Sequence, residues 1–190
     1  MRISSHDTAS LPAQSGSLVL LKKIGLVISL TALLEIAKTV LAPIPNVEVV
    51  TLLLIVFART FGKQVLYLLP AFLLVEAQSY GWGLWIFMYA YVWTIPVLLG
   101  LLFRQRQSVL FWGLVSGLFG VAFGGLCTLP YLFTAGASVA KSWWIAGLSF
   151  DLIHGAANFA IAMLLLKPCM RFFQFVKEKT ASKPEAPSHD

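Results

Sequence analysis

The chain has 190 residues, 58% of them hydrophobic and 12% charged, with a mean hydropathy of +0.83. Soluble domains hold about 45–50% apolar and about 25% charged residues, so this composition excludes a soluble domain and calls for lipid as the solvent. The net charge of +6 does not mark a nucleic-acid partner, because the basic residues lie in short groups between apolar runs, which is a membrane-topology pattern.

In lipid every backbone polar group must be satisfied within the chain, which leaves helix bundles or closed barrels. The apolar runs here are long and continuous, so the expected fold is all-α, a polytopic six-helix bundle. Residues 1–20 are polar and rich in Ser and Ala, and read as a disordered cytoplasmic tail. Lys22 and Lys23 precede the first apolar run, 24–41. It is too long for the apolar core of a signal peptide, contains Glu35 and Lys38, and lacks a small-x-small cleavage site. Further runs cover 47–61, 64–78, 84–103, 109–131 and 143–166. The second and third are shorter than the roughly 20 residues of a straight span; they read either as one hairpin that dips into the membrane or as two short spans, which thinning of the bilayer accommodates and which the charge pattern favours. The transmembrane domain is expected over 21–170, followed by a basic, disordered cytoplasmic tail over 171–190 whose last part, 182–190, is solvated.

The charges give this bundle an orientation. With both termini in the cytoplasm, Arg2, Lys22, Lys23, Arg59, Lys63, Arg104, Arg106, Lys167, Arg171, Lys177, Lys179 and Lys183 are inside. That is twelve of the 14 basic residues; Lys141 is outside and Lys38 lies within a helix. The positive-inside rule therefore favours six spans in the cell membrane, and five or seven break the alternation.

This orientation gathers the unusual polar groups in the outer half. They are Glu35 and Lys38 in run one, Asn46 and Glu48 before run two, Glu76 and Gln78 ending run three, and Asp151, His154 and Asn158 in run six. Ionisable groups within a span are costly and face a pocket, a partner or each other. Two readings follow: structural pairing, for example Lys38 with Glu48 or Glu76, or a solute pocket. Asp151, His154 and Asn158 share a helix face at i, i+3 and i+7. Trp85, Tyr89 and Trp93 repeat at i, i+4 and i+8, with Trp82 just before them. Such residues form either an interfacial belt or an aromatic wall for a ligand. Gly113, Gly117, Gly120 and Gly124 read as a close-packing face, and Gly25, Ser29 and Ala32 as a small-residue stripe for packing or docking. Cys127 and Cys169 lack metal or redox spacing. No Walker A, His-Glu-x-x-His or Gly-x-Ser-x-Gly sequence is present, so no metal, cofactor or catalytic residue is assigned.

The stretches Pro45-Asn46-Val47-Glu48, Phe61-Gly62-Lys63, Phe119-Gly120 through Tyr131, and Phe150-Asp151-Leu152-Ile153-His154-Gly155 carry a likeness. On these residues the chain, over roughly 20–170, resembles the substrate-binding S components of energy-coupling factor (ECF) transporters, and among them the vitamin B12 (cobalamin) binders. The resemblance implies a non-enzymatic subunit that binds a vitamin or related micronutrient from outside. It would deliver this ligand through a transmembrane coupling subunit (EcfT type) powered by two cytoplasmic ATPase subunits. Asn46, Glu48, Glu76, Gln78, Trp82, Trp85, Tyr89, Trp93, Asp151, His154 and Asn158 are then the candidate substrate contacts. Many members dock through an Ala-x-x-x-Ala motif on the first helix. Here Ala32 and Ala37 are five apart, and Gly25, Ser29 and Ala32 take that place. The alternative is an intramembrane enzyme using Asp151, His154 and Glu48 on a lipid or isoprenoid.

Overall fold

The computed structural model describes residues 16–181. Among them the chain is all helical, without strands. Helix α1 spans Gly16–Leu41, α2 Val50–Phe61, α3 Leu68–Tyr80, α4 Leu84–Val92, α5 Thr94–Leu102, α6 Val109–Cys127, α7 Leu129–Thr134 and α8 Ala137–Ala181. Five helical stretches are long and apolar enough to cross a membrane: Gly16–Leu41, Val50–Tyr80, Leu84–Leu102, Val109–Thr134 and Ala137–Thr180.

Two boundaries of the expected domain plan are corrected. Residues 16–20, expected as tail, open α1, because the Ser-Leu-Val-Leu-Leu run is already apolar enough to extend the helix. Residues 171–181, also expected as tail, continue α8. Phe173 is buried there against Phe57 and Phe61 of α2, at ring-centroid distances of 4.9 and 6.3 Å. The Lys177 ammonium donates to the Thr60 carbonyl in the last turn of α2 at 2.7 Å. A cation on the free carbonyls of a helix end is favourable, so this extension is tied to the bundle on two counts. The remaining tail residues, 1–15 and 182–190, lie outside those described.

The expected second and third runs fall within the one stretch Val50–Tyr80, and a short 3-10 turn, Gly62–Tyr67, divides it. Gly62 takes φ 72° and ψ −150°, a conformation open in practice to glycine alone, and this ends α2. The arms then run in opposite directions. Helix α2 follows α8, from Thr51 beside Asn158 to Thr60 beside Lys177. Helix α3 instead returns to the end where α1 stops, where Glu76 pairs with Lys38. With 12 and 13 residues, the arms are only about 18 and 20 Å long.

Helix α2 is the centre of the bundle. Leu52 through Ala58 are all 7% exposed or less, as expected of a helix that is apolar on every side. Against it pack Leu30 and Leu34 of α1, Leu68 and Phe72 of α3, Val97 of α5, and Ala162 and Leu166 of α8. Helices α6 and α8 meet through the glycine face. A Cβ built on Gly120 would lie 2.7 Å from the Gly155 Cα, and one on Gly155 would lie 2.8 Å from the Gly117 carbonyl oxygen. The backbones touch, as small residues allow in membranes.

Proline breaks two further stretches, whereas α8 runs on through Pro168. Pro96 has no N–H for the Val92 carbonyl, and α4 gives way to α5 at Trp93. Pro130 follows the α6–α7 break at Thr128 in the same manner. At the far end of the bundle, the Arg59 guanidinium stacks 4.8 Å from the Trp112 ring and donates to the Arg106 carbonyl at 2.7 Å. The Trp112 indole N–H shares that carbonyl at 2.9 Å.

Candidate functional site

The polar residues picked out in the sequence form two clusters at the end of the bundle remote from Arg59. The first lies among α1, α3 and α4. Glu76 is 1% exposed, and its carboxylate forms an ion pair with Lys38, which is a quarter exposed. The Lys38 ammonium also sits 4.5 Å from the centroid of the Tyr80 ring, within cation–π range. Of the two pairings open to Lys38 in the sequence, the structure therefore has Glu76. Glu35 is within electrostatic reach of both Glu76 and Lys38, one turn before Lys38 on α1. A cavity of about 350 Å³ opens here, lined by Lys38, Glu76, Tyr80, Trp85 and Tyr89.

The second cluster is buried among the start of α2, α6 and α8. The Glu48 carboxylate accepts the Thr51 backbone N–H at 2.9 Å and the Thr51 hydroxyl at 2.5 Å. It holds a free N–H of the first turn, where negative charge is favoured. The same carboxylate lies 3.2 Å from His154 Nε2. Asn158 Nδ2 donates to the Thr51 hydroxyl at 3.2 Å. Asp151 accepts the Gly124 backbone N–H at 2.9 Å, and a Cβ on Gly124 would collide with that carboxylate. Gly124 thus combines helix packing with access for Asp151.

An aromatic row joins the clusters. Trp85, Tyr89 and Trp93 follow one another edge to face at 5.3 and 5.7 Å. Trp93 then meets Phe123 at 5.4 Å, and Phe123 meets His154 at 5.0 Å. Tyr89 is within electrostatic reach of both Glu76 and Glu48. Of the two aromatic readings, the buried Trp93 and half-buried Trp85 and Tyr89 have the placement of a wall.

The structure therefore brings together Glu48, Glu76, Trp85, Tyr89, Trp93, Asp151, His154 and Asn158. It leaves out three others. Trp82 is 74% exposed, as a belt residue would be. Gln78 is exposed on α3. Asn46 takes φ 61°, a left-handed turn position that Asn tolerates. Gly25, Ser29 and Ala32 lie exposed on α1, a stripe left uncovered among the described residues. Sequence reading passed over Thr51, Tyr80 and Phe123. Thr51 and Tyr80 each stand one turn from a selected carboxylate, which is the signal that would have found them; Phe123 had none. No group of three or more His, Cys, Asp or Glu side chains is placed to hold a metal among the described residues.

No protein-family model, curated protein or solved structure matches this chain.

Proposed function

We propose that the chain is the substrate-binding S component of an ECF-type transporter. In this reading it crosses the cell membrane six times, with the α2–α3 hairpin contributing two short spans and both termini cytoplasmic. The observation that carries the proposal is the cavity beside Lys38 and Glu76, backed by an aromatic row and a second buried polar cluster. A buried ionisable group in a membrane segment is expensive, and a concentration of them around an open concave site is the usual form of a solute pocket. The basic residues at the opposite end orient that pocket outward.

The volume bears on the substrate. About 350 Å³ is near the lower end for small-molecule sites. It suits a compact vitamin-class ligand better than a corrinoid such as cobalamin, which is far larger. A general-base role for Glu48 fits the arrangement less well, because Thr51 engages both of its oxygens. The ligand would pass to a transmembrane coupling subunit driven by two cytoplasmic ATPase subunits.

The test is co-expression with a coupling subunit and its ATPases. The tagged chain is expected to copurify with them, support ATP-dependent vitamin uptake and retain a small molecule detectable by mass spectrometry. A chain that neither associates with such a module nor supports uptake of any vitamin overturns the proposal.

A further inference from the structure

Carboxylate side chains outnumber cationic ones at the cavity end of the bundle. Five carboxylate side chains lie among the described residues. Four of them, Glu35, Glu48, Glu76 and Asp151, gather at the cavity end, and Glu178 lies near the other end of α8. Facing these four from the packed elements are Lys38 on α1 and His154 on α8; Lys141, near the start of α8, is exposed.

The hydrogen bonds lean the same way. Among the described residues three buried carboxylate or amide oxygens have no donor, Glu35 Oε1, Asp151 Oδ2 and Asn158 Oδ1, and the buried hydroxyls of Thr31 and Ser116 are unpartnered as well. Asp151 is 5% exposed and Asn158 2%; Asn158 is linked to Glu48 through the Thr51 hydroxyl, and Asp151 accepts from the Gly124 backbone. Trp93 Nε1 is the unpartnered buried N–H in the aromatic row. Buried acceptors without donors are costly and rare in native structures, and they mark a group still to be supplied.

The chain also carries an example of what fits. The Lys38 ammonium is held between the Glu76 carboxylate and the Tyr80 face. Carboxylate plus aromatic face is the chemistry that recognises organic cations.

Resting on the solute-binding reading above, we propose that the site takes a compact, flat organic cation. Its N–H donors would meet Glu76, with Glu35 in electrostatic reach beside it, and its ring would pack on Trp85 and Tyr89. Lys38 is then a resident counter-cation that weakens the site, opposite to its role toward an anionic ligand.

The test uses the purified chain in phosphatidylcholine nanodiscs, titrated calorimetrically with benzamidine, a flat amidinium, and with benzoate, its carboxylate counterpart. Benzamidine is expected to bind at least about tenfold more tightly. Lys38→Met should strengthen benzamidine binding about tenfold, since a repelling charge a few ångströms away is removed. Glu35→Gln keeps the Lys38–Glu76 pair and should weaken it by a similar factor, so the test holds even if Lys38→Met does not fold. Tighter benzoate binding, binding of neither probe, weaker benzamidine binding by folded Lys38→Met, or an unchanged affinity in Glu35→Gln would each overturn the proposal. Uptake of a neutral or anionic vitamin through this site would overturn it and leave the transport function standing. Benzamidine binding with the expected variant responses, but without transporter association, would support it and remove the transport function.

Discussion

Single atoms decide much of the α6–α8 seam. An alanine methyl at Gly120 would fall 2.7 Å from backbone rather than from a side chain that can rotate away. Gly120→Ala is therefore expected to lower stability by about 1–3 kcal/mol, read as a fall in the thermal midpoint of the purified protein. Gly25, with open space around it, is the control, and its alanine variant should leave the midpoint unchanged. The partly buried Glu48–His154 pair can be weighed by a double-mutant cycle with Glu48→Gln and His154→Gln. Contacting groups in one network couple by about 0.5–3 kcal/mol, and additive losses would show that the 3.2 Å contact contributes nothing. The chemistry of these residues was legible because charge is rare in apolar runs. The partners were not, because Lys38 reaches Glu76 across 38 positions and His154 reaches Glu48 across 106. Periodicity along one helix does not say which helix lies opposite.

At the scale of helices, hydropathy located every long stretch but not how each one ends. The run at 84–103 contains Pro96, and its break one turn earlier follows from the missing N–H. Nothing in apolar composition marks residues 171–181 as helix; the signal is Phe173 recurring on the buried side, above a lysine that meets the end of α2. The two short runs were visible as short, and Gly62 explains why they stay separate. Its φ of 72° with ψ of −150° leaves Gly62→Ala strained even though space is open around it. The expected cost is about 1–3 kcal/mol, measurable as a lower thermal midpoint without loss of helix content by circular dichroism. An unchanged midpoint would mean that the turn relaxes freely.

For the whole molecule, the question is how the α2–α3 hairpin lies in the bilayer. In a background with Cys127 and Cys169 replaced by alanine, Ile44→Cys and Trp82→Cys test it, since both positions are exposed. If each arm crosses, a membrane-impermeant maleimide should label both from outside intact cells. Labelling on opposite sides would mean that residues 50–80 cross once. Helix α8 has a mechanical consequence. Its 45 residues extend about 68 Å, more than twice the roughly 30 Å hydrocarbon layer. The glycine seam fastens its first half to α6, while Phe173 and Lys177 fasten its second half to α2. The two fastenings lie on either side of Pro168, the proline inside the helix, so α8 acts as a lever arm joined to the body. A point about 30 Å from a midplane pivot would travel about 15 Å for a body rotation of about 30°, so a spin label at Lys179 would magnify any rocking of the bundle into a distance that pulsed spectroscopy can follow.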